Sequence, residues 1–104
     1  MKVRYRSREV ERICNDFNYA CKEFDKNTAR RLAVLMENIN AVDHIDVFYR
    51  NPIFKKYRIH ELKGDKKGIT SLRITRSYRM EMIVTVLIGE DEVEILEVSN
   101  HYGD

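Results

Sequence analysis

The hydrophobic pattern of this chain changes its period at Pro52, and no other feature constrains the fold as strongly. Before this proline, apolar residues recur every three or four positions, as on one face of a helix. The first such stripe consists of Val10, Ile13, Cys14, Phe17, Ala20, Cys21 and Phe24. After the proline, apolar and polar residues alternate, as they do on strands. The sequence therefore predicts an α+β fold, with two or three N-terminal helices packed on one face of an antiparallel sheet of about four strands.

The helical half carries its own boundary signals. Ser7 is expected to cap the first helix, and Asp25 or Asn27 the second. Residues 15–18 include asparagine and aspartate, which are unfavourable inside helices, so a break is expected there. The alternation at residues 3–5 also favours a short edge strand ahead of the helices.

The second half predicts a series of strands joined by turns. Residues 41–49 are apolar enough to form a short further helix or to lie against the core. The predicted strands cover residues 57–62, 71–75, 78–88 and 92–98. Gly89, Glu90 and Asp91 are expected to form the turn between the last two strands.

Length and composition bound the class of protein. A chain of 104 residues is about the size of one domain, so residues 1–104 are expected to form a single domain. No apolar run approaches the roughly 18 residues of a membrane span, and no apolar leader is visible, so a cytoplasmic protein is expected. Cys14 and Cys21 lie seven positions apart on the predicted helix, too far for a disulfide, and both are expected to be reduced core residues.

The charge is unevenly distributed along the chain. Residues 50–79 contain ten Lys/Arg and two acids, a net charge of +8, whereas residues 80–104 contain seven acids and no Lys/Arg. A basic segment of this kind favours a polyanionic partner. The acidic last strand is expected to point away from it. Several cations that converge on one sheet favour the phosphates of RNA or DNA, and we expect these contacts to come from Lys66, Lys67, Arg73, Arg76 and Asn100.

Histidines are the candidates for proton transfer near neutral pH. His60 lies on a predicted strand within the basic segment, where it is either a catalytic group or a solvent-facing side chain. His101 and Tyr102 follow the last strand; they either join His60 around a phosphate or form a loose C-terminus. His44, with two aspartates nearby, is a weak metal signal, and no metal site is predicted.

The segments IHELKGDKKG and SLRITRSYRMEM resemble the RelE superfamily of toxin–antitoxin systems, in particular its HigB-like branch. The resemblance covers about residues 57–102. It rests on His60, Leu62, Lys63, Gly64, Ser71, Leu72, Arg73, Ile74, Tyr78, Arg79, His101 and Tyr102. It implies a RelE-like fold and an endoribonuclease that cuts messenger RNA on the ribosome without a cofactor or metal ion.

The same resemblance implies specific roles. His60, Lys63, Arg79, His101 and Tyr102 would form the catalytic site, with either histidine as the base. The reaction would be attack of a ribose 2′-hydroxyl on the adjacent phosphate. A cognate antitoxin, expected to be a HigA-like helix-turn-helix protein, would neutralise the toxin. The alternatives are a ParE-like inhibitor of DNA gyrase and a non-catalytic RNA-binding domain.

Overall fold

The structure, a computed structural model, describes residues 1–100. Four α-helices, five strands and two short 3₁₀ helices occur in this part of the chain. The helical elements are α1 (Arg8–Asn15), α2 (Phe17–Glu23), α3 (Lys26–Asn40), α4 (Asp46–Arg50) and the 3₁₀ helices Pro52–Tyr57 and Gly64–Lys66. The strands are β1 (Lys2–Tyr5), β2 (His60–Glu61), β3 (Thr70–Arg73), β4 (Tyr78–Thr85) and β5 (Glu92–Asn100).

Short polar side chains set the helix boundaries, as the sequence predicts. Ser7 Oγ accepts the backbone N–H of Val10, and Asp25 Oδ2 accepts that of Thr28. Asp16 ends α1 and caps α2, because its carboxylate accepts the N–H of Tyr19. The predicted break inside the first helical stripe is therefore confirmed.

The sheet has five strands in the order β1-β5-β4-β3-β2. The three pairings among β2, β3, β4 and β5 are antiparallel, as predicted. The expectation of about four antiparallel strands is nevertheless corrected, since β1 pairs with β5 in parallel and makes the sheet mixed. The N-terminal strand can do so because α1 to α4 return the chain across the sheet before β2 begins.

The helices cover one face of the sheet, which places the whole core between these two layers. Leu35 and Ile39 from α3 meet Leu72, Met80 and Ile95 from the three central strands, and all five are fully buried. The predicted α+β architecture with helices on one face is confirmed. The opposite face of the sheet, called here the open face, carries no helix.

Three strands are shorter than predicted, and β3 ends at Arg73 rather than at residue 75. β2 contains only two residues, and β4 ends at Thr85, where its partner β5 begins with Glu92. Residues 86–88 therefore lie in the turn, where Ile88 is completely exposed. No helix in the described part of the chain is long and apolar enough to cross a membrane.

Candidate nucleic-acid interface

Strand register determines which side chains share the open face. Residues directly opposite each other on neighbouring strands point to the same side of a sheet. One row across the open face contains His60, Ser71, Glu81 and Glu97, one from each of four strands. The next row contains Arg73, Arg79 and Ser99. The predicted basic residues of β3 and β4 thus lie together with His60 on the face that the helices leave uncovered.

Glu81 is the centre of this arrangement. Its carboxylate is 3% exposed and lies 2.9 Å from Nη2 of Arg79 and 3.0 Å from Nζ of Lys66. A buried carboxylate is costly unless it is paired, and here two cations compensate it. The pairing holds the Arg79 guanidinium in one position, and it connects the basic loop after β2 to the middle of the sheet.

His60 is exposed on the edge strand, and a backbone contact orients its ring. Nδ1 lies 2.8 Å from the carbonyl oxygen of Arg58. Because a carbonyl can only accept, Nδ1 must carry the proton in this contact, and Nε2 carries the lone pair of the neutral ring. Arg58 supplies this acceptor from a left-handed conformation, with φ of 47° and ψ of 52°.

His60 and Arg79 are close enough to act on one group. With about 4.8 Å between strands and about 3.4 Å per residue along them, their Cα atoms are about 12 Å apart. Both side chains extend from the same face, so a phosphate could lie between the imidazole and the guanidinium. The geometry can thus place a base and a cation around one phosphodiester.

The other predicted site residues are more widely distributed. Lys63 and Lys67 are exposed at the two ends of the Gly64–Lys66 turn, on the side of His60 away from Arg79. Arg76 is exposed in the turn between β3 and β4, and Asn100 is exposed where it pairs with Tyr78. The predicted roles of His101 and Tyr102 concern residues outside the described part of the chain.

The end of β5 lies next to part of this site. Asn100 pairs with Tyr78, the residue before Arg79, so the described chain ends beside the cationic row. β4 and β3 separate it from β2, a distance of about 14 Å at normal strand spacing. The described part of the chain therefore ends next to Arg79 rather than next to His60.

The prediction that the acidic last strand points away from the basic face is wrong. Glu94 and Glu97 lie on the open face, opposite Ile83 and Glu81. A register shift between Glu81 and Met82 leaves one extra residue on β5, and this bulge changes the alternation so that Glu97 faces outward. At the far end of the sheet, Glu92 on β5 pairs with Arg4 on β1 at 3.5 Å.

Glu81 is the central residue of this arrangement that the sequence does not single out, since it was counted only as part of an acidic segment. The sequence nevertheless indicates where the Glu81 side chain lies. In a strand, residues two apart share a face, so Arg79 predicts that Glu81 lies on the basic side of β4. A single acid within such a row is the natural counterion for its neighbours.

His44 and Asp91 have a structural contact rather than a place on the open face. His44 lies 4.0 Å from Asp91, whose carboxylate accepts the backbone N–H of Ile45 at 2.8 Å. No group of three or more His, Cys, Asp or Glu side chains is suited to a metal ion among residues 1–100. Cys14 and Cys21 are free thiols; Cys14 is buried, whereas Cys21 is half-buried rather than fully in the core.

Comparison with solved structures identifies the fold. A YoeB/ParE toxin from Agrobacterium tumefaciens aligns with a TM-score of 0.62 and 22% identity, over 98% of this chain and 100% of the other. YafQ from E. coli aligns with a TM-score of 0.57 and 18% identity, over 98% of both chains. A heterotetrameric YoeB-YefM toxin-antitoxin complex from Staphylococcus aureus contains a chain that aligns with a TM-score of 0.56 and 17% identity, over 98% of both chains.

These similarities confirm the predicted RelE/ParE-type toxin fold over nearly the whole chain. They do not distinguish the HigB-like branch, which stays a prediction. Neither a known protein family nor a curated protein matches the sequence.

Proposed function

We propose that this protein is the toxin of a type II toxin–antitoxin system and that it cleaves messenger RNA on the ribosome. The observation that carries this proposal is the position of His60 and Arg79 together on the open face, in its basic part formed by β2, β3 and β4, of a fold shared with YoeB and YafQ toxins. Such a toxin acts where the ribosomes are, in the cytoplasm. The orientation of His60 adds a chemical reason to prefer cleavage over simple binding.

The reaction assigned to this face is attack of a ribose 2′-hydroxyl on the adjacent phosphorus. His60 Nε2 accepts the hydroxyl proton while the new P–O bond forms, which requires the lone pair that the contact with Arg58 leaves on that nitrogen. Arg79 binds the phosphate oxygens and stabilises the charge that develops on them. As the bond to the 5′-oxygen breaks, an acid protonates that oxygen, leaving a 2′,3′-cyclic phosphate and a 5′-hydroxyl.

The acid is assigned to the C-terminal residues His101 and Tyr102. The support for this assignment is the position of Asn100 beside Tyr78, next to Arg79. Lys63, which lies on the other side of His60, is proposed to bind a neighbouring phosphate of the same strand. Arg73, opposite Arg79, adds a second guanidinium to the phosphate-binding row.

A cognate antitoxin is the proposed protein partner, and we expect a HigA-like helix-turn-helix protein. The Staphylococcus aureus YoeB chain was solved in complex with the antitoxin YefM. The excess of cations in residues 50–79 suggests that an acidic antitoxin segment covers the open face. A complex in which the antitoxin contacts only the helices would contradict this direct occlusion.

Primer extension on messenger RNA from a translating extract tests the activity. Cuts at defined codon positions are expected with the wild-type protein in the presence of ribosomes, and none with the His60→Ala protein. A ParE-like activity would instead produce gyrase inhibition without cuts. That result would exclude the ribonuclease assignment while leaving the fold unaffected.

A further inference from the structure

A second basic surface lies outside the open face, where α3 meets the end of β3. A groove of about 300 Å³ is formed there between the helix, the Pro52–Tyr57 turn and the loop after β3. We call it the cationic groove and define it by Arg31, Lys56, Arg58, Arg73 and Arg76. Arg31 lies outside the basic segment of residues 50–79, and Lys56 and Arg58 lie inside it but are not among the residues expected to contact RNA.

The charges in the cationic groove are not compensated within the described chain. None of the five residues forms an ion pair with another residue in the range 1–100. No acidic side chain lines the groove in that range either. Five cations brought together without a counterion repel one another, and this arrangement favours an external anion.

The groove also has an apolar end. A neighbouring cavity, again of about 300 Å³, shares Arg31, Lys56 and Ile74 with the groove and is lined in addition by Arg30, Val34 and Tyr57. Val34 is 44% exposed, so it presents an apolar surface to solvent at this end of the groove. A cationic end beside a small apolar surface matches a nucleotide, which carries a phosphate beside a base and sugar.

Arg73 connects this groove to the candidate active site. It lines the groove and is also the strand partner of Arg79 on the open face. A chain of phosphates that crosses the open face can therefore continue around the end of the sheet without leaving a cationic surface. This continuity favours one RNA strand over an acidic peptide, which would need no connection to the cleavage site.

We propose that the cationic groove binds the phosphodiester backbone of the RNA strand that is cleaved on the open face, a few nucleotides from the cut. The proposal rests on the proposed function, because it names a further contact of the same substrate. Arginine suits this role, since its planar fork binds phosphate oxygens in pairs. Single-stranded RNA is the expected form, because unpaired bases can turn toward the apolar end.

The test measures binding separately from cleavage. A fluorescein-labelled RNA dodecamer with 2′-O-methyl groups cannot be cut, and its affinity is measured by fluorescence anisotropy over a range of salt concentrations. The variant is Arg31→Gln/Lys56→Gln, which removes two exposed groove cations. The control is Lys22→Gln/Lys26→Gln, which removes two exposed cations that line neither cavity. Thermal unfolding confirms that both variants fold.

The groove variant is expected to bind the dodecamer about tenfold more weakly than the control, with a salt slope lower by about 1.4 for two lost phosphate contacts. Equal affinity and equal slope in the two variants would overturn the proposal. So would unchanged RNA affinity together with weaker binding of poly-glutamate, which would identify the groove as a peptide-docking surface. Because the dodecamer is not cleavable, a protein that fails to cut messenger RNA can still show the groove effect, and the two proposals fail independently.

Discussion

Glu81 and Arg79, two residues apart on β4, form an ion pair of 2.9 Å on the face of the sheet that the helices do not cover. The carboxylate is almost completely buried although it lies on the solvent side of the fold, because the Arg79 and Lys66 side chains enclose it. The pair lowers the net positive charge of the face but fixes a long side chain that would otherwise sample many rotamers. Preorganisation of this kind contributes to catalysis when the fixed group meets charge that develops in the transition state.

Replacing Glu81 with glutamine tests the positioning role. Glutamine preserves the shape of the side chain but removes the negative charge that Arg79 and Lys66 share, so the free energy of unfolding is expected to fall by about 2 kcal/mol. RNA affinity is expected to stay the same or to rise, because the loss of one negative charge makes the net charge of the open face more positive. The cleavage rate is expected to fall about tenfold, because the guanidinium is no longer fixed. Urea unfolding, anisotropy and single-turnover cleavage measure the three effects.

Glu97→Gln is the matched control for this experiment. Glu97 lies directly opposite Glu81, and within residues 1–100 it forms no ion pair, so its replacement makes the same change of charge without releasing Arg79. Equal losses of cleavage rate in the two variants would show that charge alone is responsible and would remove the positioning role of Glu81.

His60→Asn separates the orientation of His60 from its chemistry. An asparagine amide can donate to the Arg58 carbonyl from nearly the position of Nδ1, so the local backbone contact is retained. The base is lost, and the cleavage rate is expected to fall at least about 100-fold, while the free energy of unfolding changes by less than about 0.5 kcal/mol. Cleavage at the wild-type rate would exclude His60 as the base and shift that role to the C-terminal residues.

Burial of the Cys14 thiol is expected to lower the free energy of unfolding at alkaline pH. Burial raises the pKa of its thiol from the ordinary value of 9.0 to about 12. The unfolded chain therefore releases this proton at a lower pH than the folded chain does. The stabilising contribution of Cys14 to the free energy of unfolding is complete below pH 9 and is lost as the pH rises from 9 toward 12. Between pH 8 and pH 10 the wild type is expected to lose roughly 1 kcal/mol more than Cys14→Ala, as measured by urea unfolding. Parallel pH profiles would contradict the buried, protonated thiol.

Local signals account for the part of the fold that the sequence predicts. The caps at Ser7 and Asp25 and the break at Asp16 depend on side chains that bind backbone groups three residues away, so a short window contains the whole interaction. The change of period after Pro52 is equally local, because it reflects which face of each element is buried.

Pairings between distant residues account for what the sequence did not predict. The parallel pairing of β1 with β5 joins Lys2 to Glu92, and nothing in either segment specifies the other. The orientation of Glu97 depends on a bulge that exists only once β4 and β5 are paired. The cationic groove combines Arg31 from a helix with Arg73 from a strand, and linear charge counting does not bring these residues together.

Arg58 is the only non-glycine residue with positive φ in the described chain, and its replacement is expected to move stability and RNA binding in opposite directions. Glycine adopts the left-handed conformation without the steric cost that a Cβ atom imposes, so Arg58→Gly is expected to raise the free energy of unfolding by about 0.5 kcal/mol after the greater entropy of the unfolded chain is included. The same change removes one cation of the cationic groove, and RNA affinity is expected to fall several-fold. Arg58→Ala is the control, since it loses the same charge but keeps the strain. If the glycine variant unfolds at a lower urea concentration than the alanine variant, the strain at this position is negligible, because only the entropy cost of glycine remains. If both variants bind RNA as tightly as the wild type, Arg58 makes no phosphate contact.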